Sequence, residues 1–239
     1  MTRTTNARLA GFTYLLYIAL ALPAMVLMGR ATSGEGPAAR LARIAQHAAD
    51  VRISAVLTLV TAFVALVLAV ALYGITRDED HELAVLALAC RVGEGVLNGV
   101  LALATVGLLW LATTVAGAGA LDAAAVNTLG AFVLRARGWT ETIGATFFAV
   151  GSTLFSWLLL RGRLVPIPLA WLGVLASVLL VVALPLQLAG LLRGPITEIM
   201  WLPMGAFEVP LGLWLLIRSV GAPRRDGAAS LAGTRHALD

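Results

Sequence analysis

Apolar and polar positions alternate along the 239-residue chain on a coarse scale: six long apolar blocks are separated by short polar segments. The blocks run over Leu9–Gly29, Ile53–Ile75, Leu83–Ala116, Trp139–Leu160, Pro168–Leu192 and Ile196–Ile217. A membrane-crossing helix needs roughly 20 predominantly apolar residues, and each block is about that long or longer. A transmembrane barrel would show short alternating segments instead. The pattern therefore predicts an all-α fold, an integral membrane bundle of six transmembrane helices. The first block is too long for a typical signal-peptide core. The third would reach roughly 50 Å at about 1.5 Å per residue, against about 30 Å of hydrocarbon, so it tilts or projects. Pro166 and Pro168 open the fifth helix, where early prolines are tolerated, and Pro203 and Pro210 interrupt the sixth.

The polar segments set the organisation. Residues 1–8 form an N-terminal tail, residues 9–218 the transmembrane domain, and residues 219–239 a polar C-terminal tail whose composition predicts disorder. "TRDEDHE", "RGR" and "RGP" are tight turns. Two longer segments lie on the opposite side. In "RATSGEGPAARLARIAQHAADVR", Leu41, Ile44 and Ala48 recur at helical spacing, which predicts a short amphipathic helix. In "GAGALDAAAVNTLGAFVLRARG", Asp122 is a suitable N-cap for a second short helix. No internal repeat stands out.

Arginine distribution bears on orientation. With the N-terminus inside, Arg3, Arg8, Arg77, Arg161, Arg163, Arg218, Arg224, Arg225 and Arg235 are cytoplasmic. Arg30, Arg40, Arg43, Arg52, Arg135, Arg137 and Arg193 are then outside. This modest bias favours a multi-pass protein with both termini in the cytoplasm. Trp139, Trp157, Trp171 and Trp201 fall near helix ends, as in an interfacial belt.

Composition adds exclusions. The chain is 60% hydrophobic and 13% charged, with a mean hydropathy of +0.92. A net charge of +4 and a pI near 10.2 invite a nucleic-acid partner. The arginines, however, lie at block ends and are not interleaved with aromatics, so no nucleic acid is expected. The chain has no lysine, which rules out a Schiff base on a lysine side chain. The single cysteine, Cys90, cannot form an intramolecular disulfide and reads as a small packed hydrophobe.

Charge inside a membrane costs several kcal/mol, so ionisable residues within the blocks are the candidates for function. "CRVGEGVLNG" in the third block places Arg91, Glu94 and Asn98 within about 60° of one another on one helical face. Gly95 and Gly99 form a small-residue pair on the neighbouring face, suited to close helix approach. Glu208, between Pro203 and Pro210, is the other intramembrane charge. At about 1.5 Å per residue, Arg91, Glu94 and Glu208 all lie roughly 14–18 Å from the inner boundary. An ion pair from Arg91 to Glu94 or Glu208 would lower the burial cost of both partners. Two carboxylates against one arginine leave one carboxylate free to carry a proton.

Glu141, Gln187 and Glu198 form a weaker set near the outer side, and an acidic residue in a first helical turn is ordinary helix-dipole chemistry. Tyr14 and Tyr17 read as packing residues. All aspartates lie outside the apolar blocks, and His47, His81 and His236 lie in loops or the tail. There is no HExxH motif and no His/Cys cluster, so neither a metal nor a cofactor is expected. Ser152 has no intramembrane histidine beside it in the pattern, and no Walker motif is present.

The third block's "CRVGEGVLNGV" resembles the DUF4386 family of bacterial polytopic membrane proteins. So do "WTETIGATFFAVGSTLFSWLLLRGRLVPIPLAWLG" and "FEVPLGLWLLIRSVG". The resemblance covers roughly Arg8 to Gly221, and its strongest pieces are the Arg91/Glu94 pair, the "GRLVP" turn and Glu208 followed by "LGLWLL". It implies a bacterial cell-membrane protein and carries no assigned activity. Three functional readings follow. The first is a protein whose buried Arg91–Glu94–Glu208 network packs the bundle and lines a lipophilic pocket, with membrane lipid or a lipophilic small molecule as partner and self-association open to it. The second is an intramembrane enzyme using protonated Glu94 or Glu208 as general acid on a lipophilic substrate such as an isoprenoid. The third is a small proton-coupled transporter, which the short chain and missing repeats disfavour.

Overall fold

The computed structural model describes residues 2–117 and 123–218, apart from the side chains of residues 115–117 and 123. Asp122 and the tail over residues 219–239 fall outside the described residues. Among those described, the chain is helical throughout, with no strand: α1 (Arg3–Ala31), α2 (Gly36–Gln46), α3 (Ala48–Thr76), α4 (His81–Gly117), α5 (Ala123–Arg161), α6 (Ile167–Leu188), α7 (Ile196–Ile199) and α8 (Leu202–Ile217). α1, α3, α4, α5 and α6 are each long and apolar enough to cross a membrane, and α7 and α8 together make the sixth such span, Ile196–Ile217. This is an all-α integral membrane bundle.

Two elements differ from the apolar pattern, and both for local reasons. α1 begins at Arg3, so most of the expected N-terminal tail is its first turns. The Thr2 side chain caps it by accepting from the Thr5 N–H at 3.1 Å. Arg3 then reaches sideways, with Nη2 2.9 Å from Glu79 Oε1 and Nε donating to the Ile75 carbonyl at 3.1 Å. The segment over residues 123–138, expected as a separate short helix, is the first part of α5. No proline lies within it, and the isolated Gly130 and Gly138 do not stop a helix on their own. Of the two expected amphipathic helices, only α2 is therefore a separate element.

α4 and α5 have 37 and 39 residues, so each is about 55–60 Å long and outreaches about 30 Å of hydrocarbon. The excess lies on the side opposite the α1 N-terminus, where α2 packs against it. Leu41 and Ile44 of α2 are buried with Met28, Ala31, Val51, Leu108, Leu109, Ala112 and Val126. Gly130 leaves the space that Leu41 fills, since a Cβ there would sit 3.1 Å from Leu41 Cδ2. At the other end, Asp80 Oδ1 accepts from the Leu83 N–H at 3.2 Å, and Arg161 Nη1 donates to Asp80 Oδ2 at 2.9 Å. That turn thus caps α4 and ties it to the end of α5.

The spans pack as a closed ring in the order α1, α3, α4, α5, α6, α8, with α8 returning against α1. The α1–α8 seam is closest at Gly11, where a Cβ would lie 2.6 Å from the Gly212 carbonyl oxygen and against the backbone nitrogen of Leu216. Backbone approach of α4 to α1 or α8 is minimal, so side chains must fill the middle of the ring. Arg91 and Phe207 are among the largest fully buried side chains, and Tyr14, Phe148 and Phe155 are also buried. Apolar side chains face outward: Phe63, Leu103, Leu175 and Val182 are all exposed, as lipid contact requires.

A candidate charged centre inside the helix ring

α4 brings Arg91 and Glu94 into the ring. They are one helical turn apart, so their side chains meet on one face. Arg91 Nη1 lies 2.8 Å from Glu94 Oε2, and the two residues are 1% and 2% exposed. The contact is one of charge more than of aligned hydrogen bonds. Arg91 Nε, Nη1 and Nη2 and Glu94 Oε2 all lack a hydrogen-bond partner among the described residues. In a low-dielectric interior, Coulomb attraction at this distance is strong without ideal alignment.

Three other helices shape the pair. From α1, the Tyr17 hydroxyl donates to Glu94 Oε1 at 3.0 Å. From α5, the Phe148 ring stands 4.7 Å from Arg91 Cζ, and the Tyr17 ring lies 5.9 Å from it on α1, both within cation–π range. Gly151 of α5 makes room for the arginine stem. A Cβ there would lie 3.1 Å from Arg91 Cγ and Cδ and 3.2 Å from the Ala87 carbonyl oxygen. From α8 comes Glu208, which interacts electrostatically with Arg91, Glu94 and Tyr14. No cation lies within 4.0 Å of its carboxylate among the described residues, and its Oε1 is buried without a hydrogen-bond partner.

The remaining candidates stand apart. Asn98 is half-buried two turns along α4 from Arg91 and makes no side-chain hydrogen bond among the described residues. Of the glycine pair, Gly95 packs on α3, 3.0 Å from Leu66 Cδ2 as measured from an added Cβ, while Gly99 has nothing within 4 Å. The close approach therefore rests on Gly95 alone. Glu141 is exposed, its Oε2 3.5 Å from Arg137 Nη1. Glu198 is exposed on α7, and Gln187 is half-buried with Oε1 unpartnered. No hydrogen bond or ion pair joins these three to one another or to the charged centre among the described residues.

Tyr17 belongs to the centre, although the sequence presents it as a packing residue. The available signal was depth: Tyr14 and Tyr17 lie one turn apart in an aliphatic helix, and a buried tyrosine hydroxyl usually finds a partner. Tyr17→Phe is expected to destabilise the protein by about 1.5–3 kcal/mol, the usual worth of a hydrogen bond to a charged group. Thermal unfolding in detergent would read this, and an unchanged midpoint would show that the 3.0 Å contact carries no weight.

No group of three or more His, Cys, Asp and Glu side chains suited to a metal ion occurs among the described residues. A groove of about 250 Å³ between α1 and α3 is lined by Leu9, Leu66, Val67 and Val70, none of them part of the charged centre.

Comparison with curated proteins and with solved structures returned no match to either. The family model described as "Domain of unknown function (DUF4386)" matches residues 9–219, a stretch that holds five of the six spans whole, the first span from Leu9 onward, and every residue of the charged centre. By that match, the chain belongs to the DUF4386 family.

Proposed function

We propose that this is a non-catalytic, multi-pass protein of a bacterial cell membrane in which the Arg91–Glu94 pair fixes the arrangement of the six helices. One observation supports this reading. The pair is in direct contact at 2.8 Å, 1% and 2% exposed, and sealed by Tyr17 and Phe148. An acid that protonates a substrate must meet it, and Glu94, 2% exposed and held by Arg91 and Tyr17, is not placed to do so. A buried ion pair adds little net stability compared with well-packed apolar residues, and this pair stays together on α4 in any packing. Only a packing that brings Tyr17, Phe148 and Glu208 around it, however, supplies the hydrogen bond, ring contacts and second carboxylate that offset its burial. The pair thus discriminates among packings more than it strengthens one. The arginine bias toward the face bearing both chain ends supports placing that face in the cytoplasm.

The test is the double substitution Arg91→Met with Glu94→Leu. Its midpoint of unfolding is expected to equal or exceed that of the wild type, because apolar replacements of buried pairs are neutral or stabilising by about 1–4 kcal/mol. Arg91→Met alone is expected to fall below both. Backbone hydrogen exchange in α1, α4 and α8 should nevertheless quicken in the double variant, as the ring loses its preferred arrangement. A stable double variant with wild-type exchange would defeat the proposal.

A further inference from the structure

The α1–α8 seam is closed at one end only. On α1, Gly11, Ile18 and Leu22 share a face, since steps of seven and eleven residues each return to within about 20°. Along that face burial falls away: Gly11 is buried, Ile18 half-buried and Leu22 53% exposed. The facing helix shows the same trend. Gly212 packs on Leu15 and Tyr14, with an added Cβ 3.2 Å from each, whereas Gly205, two turns away on the same face, is exposed with nothing within 4 Å. The two helices therefore splay from a vertex near Gly11 and Gly212. α1 and α8 also carry interior prolines, Pro23 and Pro210, each of which removes a backbone donor from its helix.

Glu208 lies one turn from Gly212, between the vertex and the open end. Arg91 is engaged by Glu94, leaving Glu208 as the one carboxylate of the centre without a cation in contact. Glu208 is also the most accessible of the three charges, at 8% exposed against 1% for Arg91 and 2% for Glu94. Tyr14 and Tyr17 of α1 interact electrostatically with it, and aromatic faces attract cations.

We infer that the cleft between α1 and α8 is a binding site, open laterally to the bilayer, for a lipophilic organic cation whose charge pairs with Glu208. The apolar cleft walls admit the hydrophobic body, and the carboxylate supplies the specific contact. This goes beyond the helix-ordering role of Arg91 and Glu94, which lie deeper and stay paired when the cleft is filled.

The test uses tetraphenylphosphonium and the full chain in phosphatidylcholine nanodiscs, with binding followed by equilibrium dialysis. Saturable binding above that of empty nanodiscs is expected. Glu208→Gln should weaken it by roughly thirtyfold or more, the usual loss when a buried charge pair is broken. Gly205→Leu, which keeps every charge and fills the open end, should weaken it comparably. Both variants should unfold near the wild-type temperature, because neither touches the Arg91–Glu94 contact. Neutral tetraphenylmethane should not compete. Binding no greater than to empty nanodiscs, full affinity in either variant, or displacement by the neutral analogue would each overturn the inference.

Discussion

A chain carrying Glu94→Gln together with Glu208→Gln is expected to fail to accumulate as a folded, extractable protein, although each single variant can be purified. The reason lies in the asymmetry between the groups. A carboxylic acid can be buried neutral, whereas a guanidinium stays charged in proteins. With Glu94 replaced, Arg91 still has Glu208 across the ring, with which it already interacts. With Glu208 replaced, the 2.8 Å pair to Glu94 remains. With both replaced, a nearly fully buried cation has no counter-charge in the centre and is left with neutral amides and the rings of Phe148 and Tyr17. Stranding one member of a buried pair costs about 3–5 kcal/mol, a large share of the roughly 5–15 kcal/mol by which a domain is stable. The check is a mutant cycle read by membrane-extracted yield and unfolding temperature. Coupling appears as a double variant worse than the sum of its singles. A double variant no worse than Glu94→Gln alone would show that Glu208 does not stand in for Glu94.

Gly11→Val is expected to produce the second large effect. The contact it disturbs is with backbone: a Cβ at this position would lie 2.6 Å from the Gly212 carbonyl oxygen, so no side chain can rotate aside. α8 must move as a body. Overpacking of a tight contact typically costs about 1–3 kcal/mol. Here it also opens the seam that closes the ring, so faster hydrogen exchange in α1 and α8 should accompany the lower unfolding temperature. Gly99→Val is the control, since Gly99 has nothing within 4 Å. Equal effects at the two positions would refute the close-approach argument.

The six spans can be read from the sequence because long apolar runs have few alternatives to crossing a bilayer. Helix ends were less readable. A capped polar start such as Thr2 followed by Arg3 carries no hydropathy signal, and the continuity of residues 123–138 with α5 depends on what surrounds Gly130 and Gly138. In the charged centre, Arg91, Glu94 and Glu208 stand out as acidic and basic side chains deep within apolar blocks. Tyr17, Phe148 and Gly151 do not stand out, because aromatic and small residues are ordinary in apolar helices. Their roles appear only once the ring places three other helices around α4. Asn98 shows the reverse: it shares a helical face with Arg91, but lies farther along α4, past the centre. Helical periodicity assigns a face and says little about which neighbour is opposite it.

Carrying both members of the ion pair on α4 has a consequence for biosynthesis. The chain emerges from the ribosome in order, and Glu208 is made long after Arg91. An arginine whose sole counter-ion lay on the last helix would have to wait, uncompensated, while the intervening spans were synthesised. Glu94, one turn away, neutralises it within the same segment, so α4 enters the bilayer as a locally neutral helix. Ring closure by α8 against Gly11 can then be the final step of assembly without being the step that makes insertion of α4 affordable.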